Sequence, residues 1–137
     1  MALRKVVFVS RQDAEDKYGS MNWAVISISD PFHYPAMLKS GWHDVLRLEF
    51  HDIEEESKPR ILFSVQDARS IVVFVDQVNA CECDGILVHC KAGISRSAAI
   101  AKWIAKKYHL PFDHNYSQYN RHMYTTLCQV ANTGGRR

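Results

Sequence analysis

Residues 89–97 read His-Cys-Lys-Ala-Gly-Ile-Ser-Arg-Ser, a stretch that holds the residue types phosphoryl chemistry needs. It lies between a short apolar run, Ile86-Leu87-Val88, and an alanine-rich segment of high helix propensity. A tight loop at a strand-to-helix junction turns several backbone N–H groups inward, and the helix N-terminus adds partial positive charge. Lys91, Ala92, Gly93, Ile94 and Ser95 would then cradle a tetrahedral oxyanion, with Gly93 allowing the bend. Arg96 closes the ring with a planar fork of donors that grips two phosphate oxygens at once, which lysine does not do equivalently. A cysteine at the base sees inward dipoles and a guanidinium, both of which favour thiolate over thiol, so Cys90 reads as a nucleophile. In-line attack on phosphorus would give a cysteinyl-phosphate and release an alcohol, while the N–H ring and Arg96 hold the equatorial oxygens.

Positioning this loop takes strands and helices in alternation. Short β-branched or apolar runs predict strands over 6–9, 23–29, 45–50 and 86–88, the last apolar enough for burial on both faces. Helices are predicted over 11–18, capped by Ser10, and over 61–80, 95–108 and 113–130. Val65, Ala68, Ile71, Val72, Val75 and Val78 mark the buried face of the second helix; Tyr116, Tyr119, Met123, Tyr124 and Leu127 fall at helical spacing in the fourth. The acidic, Pro-bearing stretch 51–60 reads as an exposed loop, and Glu54-Glu55-Glu56 within it as a solvated charge run. Asp30-Pro31-Phe32-His33-Tyr34-Pro35 forms either an aromatic pocket rim or a packed turn. The fold class is α/β: one domain over 1–132 with a largely parallel central sheet flanked by helices, then a disordered tail at 133–137.

The 137 residues suit one domain, and 47% hydrophobic with 23% charged residues is the balance of a globular chain able to bury a core. A net charge of +2 offers no argument for nucleic acid or an anionic membrane as main partner, so any anion site must be local. No apolar run approaches the roughly 18 residues of a bilayer span, and the first residues lack a signal-peptide core, which predicts a cytoplasmic protein. Cys81, Cys83, Cys90 and Cys128 are then reduced thiols. Cys81, Cys83, His89 and Cys90 lack the paired spacing of a zinc site, so no metal is predicted, though Cys81 or Cys83 could act as a resolving thiol for Cys90.

The Cys-x5-Arg-Ser segment resembles the signature of the cysteine-based protein tyrosine phosphatases. The fuller string, His-Cys-x-Ala-Gly-x-Ser-Arg-Ser, is similar to that of their dual-specificity branch, densely over residues 86–108 and diffusely elsewhere. The resemblance implies Cys90 as nucleophile, Arg96 as phosphate binder, Ser97 as the hydroxyl that assists thiolate departure, and His89 as the residue that orients the loop and tunes Cys90. It also implies an aspartate general acid on a mobile upstream loop. Asp52 fits, directly after the 45–50 strand, whereas Asp44 precedes that strand and Asp67 falls in a helix. Asn120, followed by Arg121, matches a polar position in the last helix that braces the phosphate loop in relatives. The implied activity is hydrolysis of phosphomonoesters without cofactor. Its partner is a phosphorylated protein or peptide, phosphotyrosine above all, met by a monomer with no membrane and no nucleic acid.

Other readings of the same residues stay open. A non-catalytic module that recognises phosphorylated partners would keep this loop, although an intact Cys90 with an available acid weighs against it. A phosphoinositide or an RNA 5′ phosphate would suit the same ring, and Lys91 adds one charge toward polyanions. Sulfur transfer would need a less phosphate-shaped loop than one ending in Arg96-Ser97.

Overall fold

A computed structural model describes residues 3–134 of the chain. The strands are β1 (Lys5–Ser10), β2 (Trp23–Ser29), β3 (Val45–Glu49) and β4 (Gly85–Cys90); the helices are α1 (Arg11–Asp16), α2 (Val65–Ala80), α3 (Arg96–Tyr108) and α4 (Arg121–Gly134). All strand pairs are parallel in the order β1-β4-β2-β3, so the last strand of the chain inserts between the first two. β4 is buried along its whole length, as the apolar run 86–88 leads one to expect, and it carries the polar His89 inside as well.

Alternation along β4 divides the core. Ile86, Val88 and Cys90 join Ala24, Ile26 and Ile28 of β2 in the main cluster, which also takes in buried residues of α2, α3 and α4. Leu87 packs on the opposite face with Val25 and Ala14, where α1 and the segment between β2 and β3 form the cover. Each fully buried Ile, Leu or Phe contributes roughly 1.5–3 kcal/mol relative to exposure, so the C-terminal end of β4 is a stiff platform.

Helix starts depart from periodicity where side chains cap them. α2 begins at Val65 because Ser64 and Asp67 form a reciprocal capping box. Residues 61–64 precede it, and Phe63 packs edge-on against Phe50, 5.0 Å between ring centroids. Val65, expected on the buried face, is 46% exposed in that first turn; Phe74 takes a buried place instead. α4 begins at Arg121, not 113: the Asp113 side chain accepts from Asn115 N–H, its carbonyl accepts from Tyr116 N–H, and Asn120 Oδ1 accepts from Met123 N–H as the cap. Tyr116 and Tyr119 therefore lie in a connecting segment rather than on a helix face. Of the tail expected at 133–137, residues 135–137 lie outside the described residues, and α4 extends to Gly134.

Candidate active site

β4 delivers Cys90 to the C-terminal edge of the sheet, and residues 91–95 turn the chain into α3. Gly93 sits at φ +74°, and a Cβ there would come within 2.4 Å of the Ser10 nitrogen and 2.5 Å of the Val9 carbonyl carbon. Glycine alone lets the loop lie this close to the end of β1. The Arg11 N–H donates to the Lys91 carbonyl at 3.2 Å, a second tie to the β1–α1 junction.

The Cys90 sulfur points into the loop: the Gly93 N–H donates to it at 3.3 Å, and Ser97 Oγ stands 3.1 Å away. Among the described residues, no carbonyl or side chain accepts from the N–H groups of Ala92, Ile94 or Ser95. They remain donors for an anion at the start of α3. Arg96 is only 5% exposed, yet its Nε, fully buried, has no acceptor among the described residues. A buried guanidinium N–H left unpaired is costly, and an oxyanion held by the loop would supply an acceptor.

Arg96 is aimed by two groups that sequence spacing does not reveal. Its Nη1 donates to Asp30 Oδ1 at 2.7 Å and to the Phe50 carbonyl at 2.8 Å. Asp30 thus offsets a cation that would otherwise oppose the helix dipole. Partial burial pushes the Asp30 carboxyl up, but the Arg96 hydrogen bond and charge outweigh it and hold the group below the usual carboxylate range. The stretch 30–35, expected as either a pocket rim or a packed turn, leaves its aromatic rings exposed. Asp30 and the buried Ala36 turn inward, while Phe32 is 96% exposed with Tyr34 nearly as bare.

His89 is fully buried behind Cys90. Burial is the main cause that holds its imidazole below the ordinary histidine value, so it is neutral at pH 7. Its Nδ1 lies 3.2 Å from the Cys90 carbonyl, which only accepts, so Nδ1 carries the proton and Nε2 accepts from Ser27 Oγ at 2.6 Å. On the other flank, Asp52 is docked against the loop. Its Oδ1 accepts from Ser95 Oγ and from Asn120 Nδ2, both at 2.9 Å. Polar ties explain this: Asn120 Nδ2 also donates to the Ile53 carbonyl, Glu54 accepts from the Arg121 N–H, and His51 and Ile61 exchange two hydrogen bonds across the neck of the loop.

No family model matches the sequence, and no curated protein matches it. Solved structures match by shape. Human tyrosine phosphatase-like serine/threonine/tyrosine-interacting protein superposes with a TM-score of 0.60 at 16% identity, over 94% of this chain and 92% of that one. Human DUSP28 gives 0.62 at 14% identity, over 96% and 94%. The fold is that of the dual-specificity phosphatases. PTPMT1 superposes with a TM-score of 0.50 at 18% identity, over 83% of this chain and 81% of that one.

Within this dual-specificity phosphatase fold, Cys90, Arg96, Ser97, Ser95, Asp52 and Asn120 converge on one end of the sheet, with His89 behind them. Tyr116 joins them unforeseen: its hydroxyl donates to the Ile94 carbonyl, its ring packs edge-on against Phe8, and burial pushes the phenol up. Its place in a series at helical spacing with Tyr119 and Tyr124 gave no signal for this contact. Cys83 precedes β4 and Cys90 ends it, so at about 3.3 Å per residue they stand roughly 20 Å apart. A disulfide needs its Cα atoms within about 7 Å, so Cys83 is no resolving partner; Cys81, exposed at the end of α2, lies farther back along the chain. The described residues hold no group of three or more His, Cys, Asp or Glu able to bind a metal.

Proposed function

We propose that the protein hydrolyses phosphomonoesters through a cysteinyl-phosphate on Cys90, with phosphotyrosine of a protein or peptide as substrate. The observation that carries this reading is the buried, unpartnered Nε of Arg96 in a loop whose amides remain free around a cysteine sulfur. The Cys90 thiolate attacks phosphorus, the ester P–O bond breaks, and Asp52 gives its proton to the leaving oxygen. Two donors occupy Asp52 Oδ1, which leaves Oδ2 to carry that proton. In the second step Asp52 takes a proton from water, water oxygen bonds phosphorus, and the P–S bond breaks with the Ser97 hydroxyl donating to the departing sulfur. Arg96 and the loop amides hold the equatorial oxygens throughout.

A protein substrate is favoured by the exposed rings of Phe32 and Tyr34 beyond Asp30. Their backbone is clamped, with Arg11 donating to the Tyr34 and Pro35 carbonyls, so the rings face solvent on a firm base. No helix among the described residues is long and apolar enough to cross a membrane. Rapid-quench mass spectrometry with p-nitrophenyl phosphate should trap a phosphate on Cys90, and Cys90→Ser should lose at least about a thousandfold in kcat while still binding tungstate. A Cys90→Ser variant with near-normal turnover overturns the reading. Tungstate binding by a wild-type protein that never turns over points instead to a phosphate-recognition module.

A further inference from the structure

The two rims of the cradle differ in charge. Lys91 lies near enough to Asp30 for its charge to act on that carboxyl. On the Ser95 side, a cleft of about 840 Å³ opens between residues 52–57 and 117–121, with Asp52, Glu54, Glu55 and Glu56 in its wall. Asp52 and Glu54 are engaged with Ser95, Asn120 and the Arg121 N–H. Glu55 and Glu56 are exposed and hold no hydrogen bond or ion pair among the described residues. Arg121, the only cation in the lining, lies 4.7 Å from the Tyr119 ring centroid and donates to the Ser117 carbonyl.

An acidic run by itself is a solvated surface. This one adjoins the proposed phosphate cradle, because the cleft shares Ser95 and Asp52 with it, and the buried, unpartnered Arg96 Nε supports a phosphoryl group there. A substrate with its phosphate in the ring lays part of its flank beside Glu55 and Glu56. A polyphosphorylated lipid headgroup or an RNA 5′ end would set further negative charge against them. A lysine or arginine side chain finds two unpaired acceptors.

We propose that the site selects phosphotyrosine within a basic stretch of protein, and that the cleft between residues 52–57 and 117–121 takes a lysine or arginine flanking the phosphorylated residue, paired with Glu55 and Glu56. The selection rests on the phosphohydrolase reading above for the position of the phosphate. Both carboxylates are solvent-exposed, so two pairs together give a preference of roughly five- to tenfold, which salt weakens as the screening length falls below about 8 Å.

The test measures kcat/KM for matched phosphotyrosine peptides bearing arginine or glutamate on both sides of the tyrosine, with p-nitrophenyl phosphate as a substrate without flanks. Wild type should prefer the arginine peptide five- to tenfold, the preference should shrink in high salt, and Glu55→Lys/Glu56→Lys should reverse it. Each variant is scored by its own peptide ratio, so a general loss of turnover does not enter. Glu55→Gln/Glu56→Gln should bring the ratio near one. Calorimetric affinities of the same peptides for Cys90→Ser give the ratio independently of hydrolysis. Equal ratios in wild type, a ratio untouched by charge reversal, or faster turnover of phosphoinositide vesicles or 5′-triphosphorylated RNA than of the arginine peptide overturns the inference. Turnover of p-nitrophenyl phosphate without peptide preference leaves the hydrolase reading standing, whereas no turnover with a preserved affinity ratio does the reverse.

Discussion

Arg96 and Asp52 approach one loop from opposite sides, and the means that hold them differ. Around Arg96 the contacts come from strand ends: Asp30 follows β2, the Phe50 carbonyl follows β3, and the end of β1 lies against Gly93. These groups are fixed by the sheet and its buried core. Asp52 is exposed, and hydrogen bonds from Ser95 and Asn120 side chains hold it, with Glu54 tying the same loop to α4. A hydrogen bond of this kind contributes about 1 kcal/mol net, so the proposed proton donor is attached to the cradle rather than built into it. Anion binding should therefore survive changes that cripple the acid, and the converse should fail.

Arg96→Lys tests the built-in half and should have the largest effect: a loss of about a thousandfold in kcat/KM for aryl phosphates, because a point charge replaces the planar fork. Asp52→Ala should cost about a hundredfold in kcat with a phosphotyrosine peptide but only a few fold with p-nitrophenyl phosphate, whose leaving group needs little protonation. Tungstate affinity, measured by calorimetry, should stay near wild type in Asp52→Ala and fall in Arg96→Lys; equal losses in the two variants would erase the distinction. Asp30→Asn keeps the shape and removes the charge opposite Arg96, for an expected drop of about tenfold in kcat/KM and about 1–3 kcal/mol of stability by denaturant titration.

The pH dependence of stability comes next in size. Because burial lowers the His89 pKa, the unfolded state takes up a proton before the folded state does, so the His89 contribution is complete above the ordinary value of 6.5 and is lost as pH falls through the lower folded value. Asp30 behaves likewise below its ordinary 3.8, its pKa being lowered by Arg96. Unfolding midpoints should fall in two stages on acidification, and His89→Asn should flatten the upper one. The smallest effect is expected of Tyr116→Phe, which removes one hydrogen bond to Ile94, at most about 1 kcal/mol, with turnover nearly unchanged.

Local features were legible in the sequence. The apolar run at 86–88 and the Gly93-to-Arg96 loop lie in one continuous segment, so β4, the turn and α3 follow from their own residues. Groups supplied from a distance left no such trace: Asp30 reaches Arg96 across 66 positions, and Tyr116 reaches Ile94 across 22. The parallel order β1-β4-β2-β3 creates the first of these contacts by setting the ends of β2 and β4 side by side. The early helix at 113 failed for a different reason. Tyrosines there repeat at helical spacing, but Asp113 and Asn120 offer the backbone side-chain partners that compete with helix until residue 121.

The close approach of Gly93 to Ser10 has a bearing on how the protein comes into being. β1 is made first, and its register partner β4 emerges only after most of the chain, so the wall against which the loop bends forms only when β4 pairs with β1. Contacts of such long sequence separation form late in folding. On the proposed reading, binding of an oxyanion then requires that the two distant strands have met, and a nascent chain that stops short of residue 96 lacks the guanidinium of the cradle.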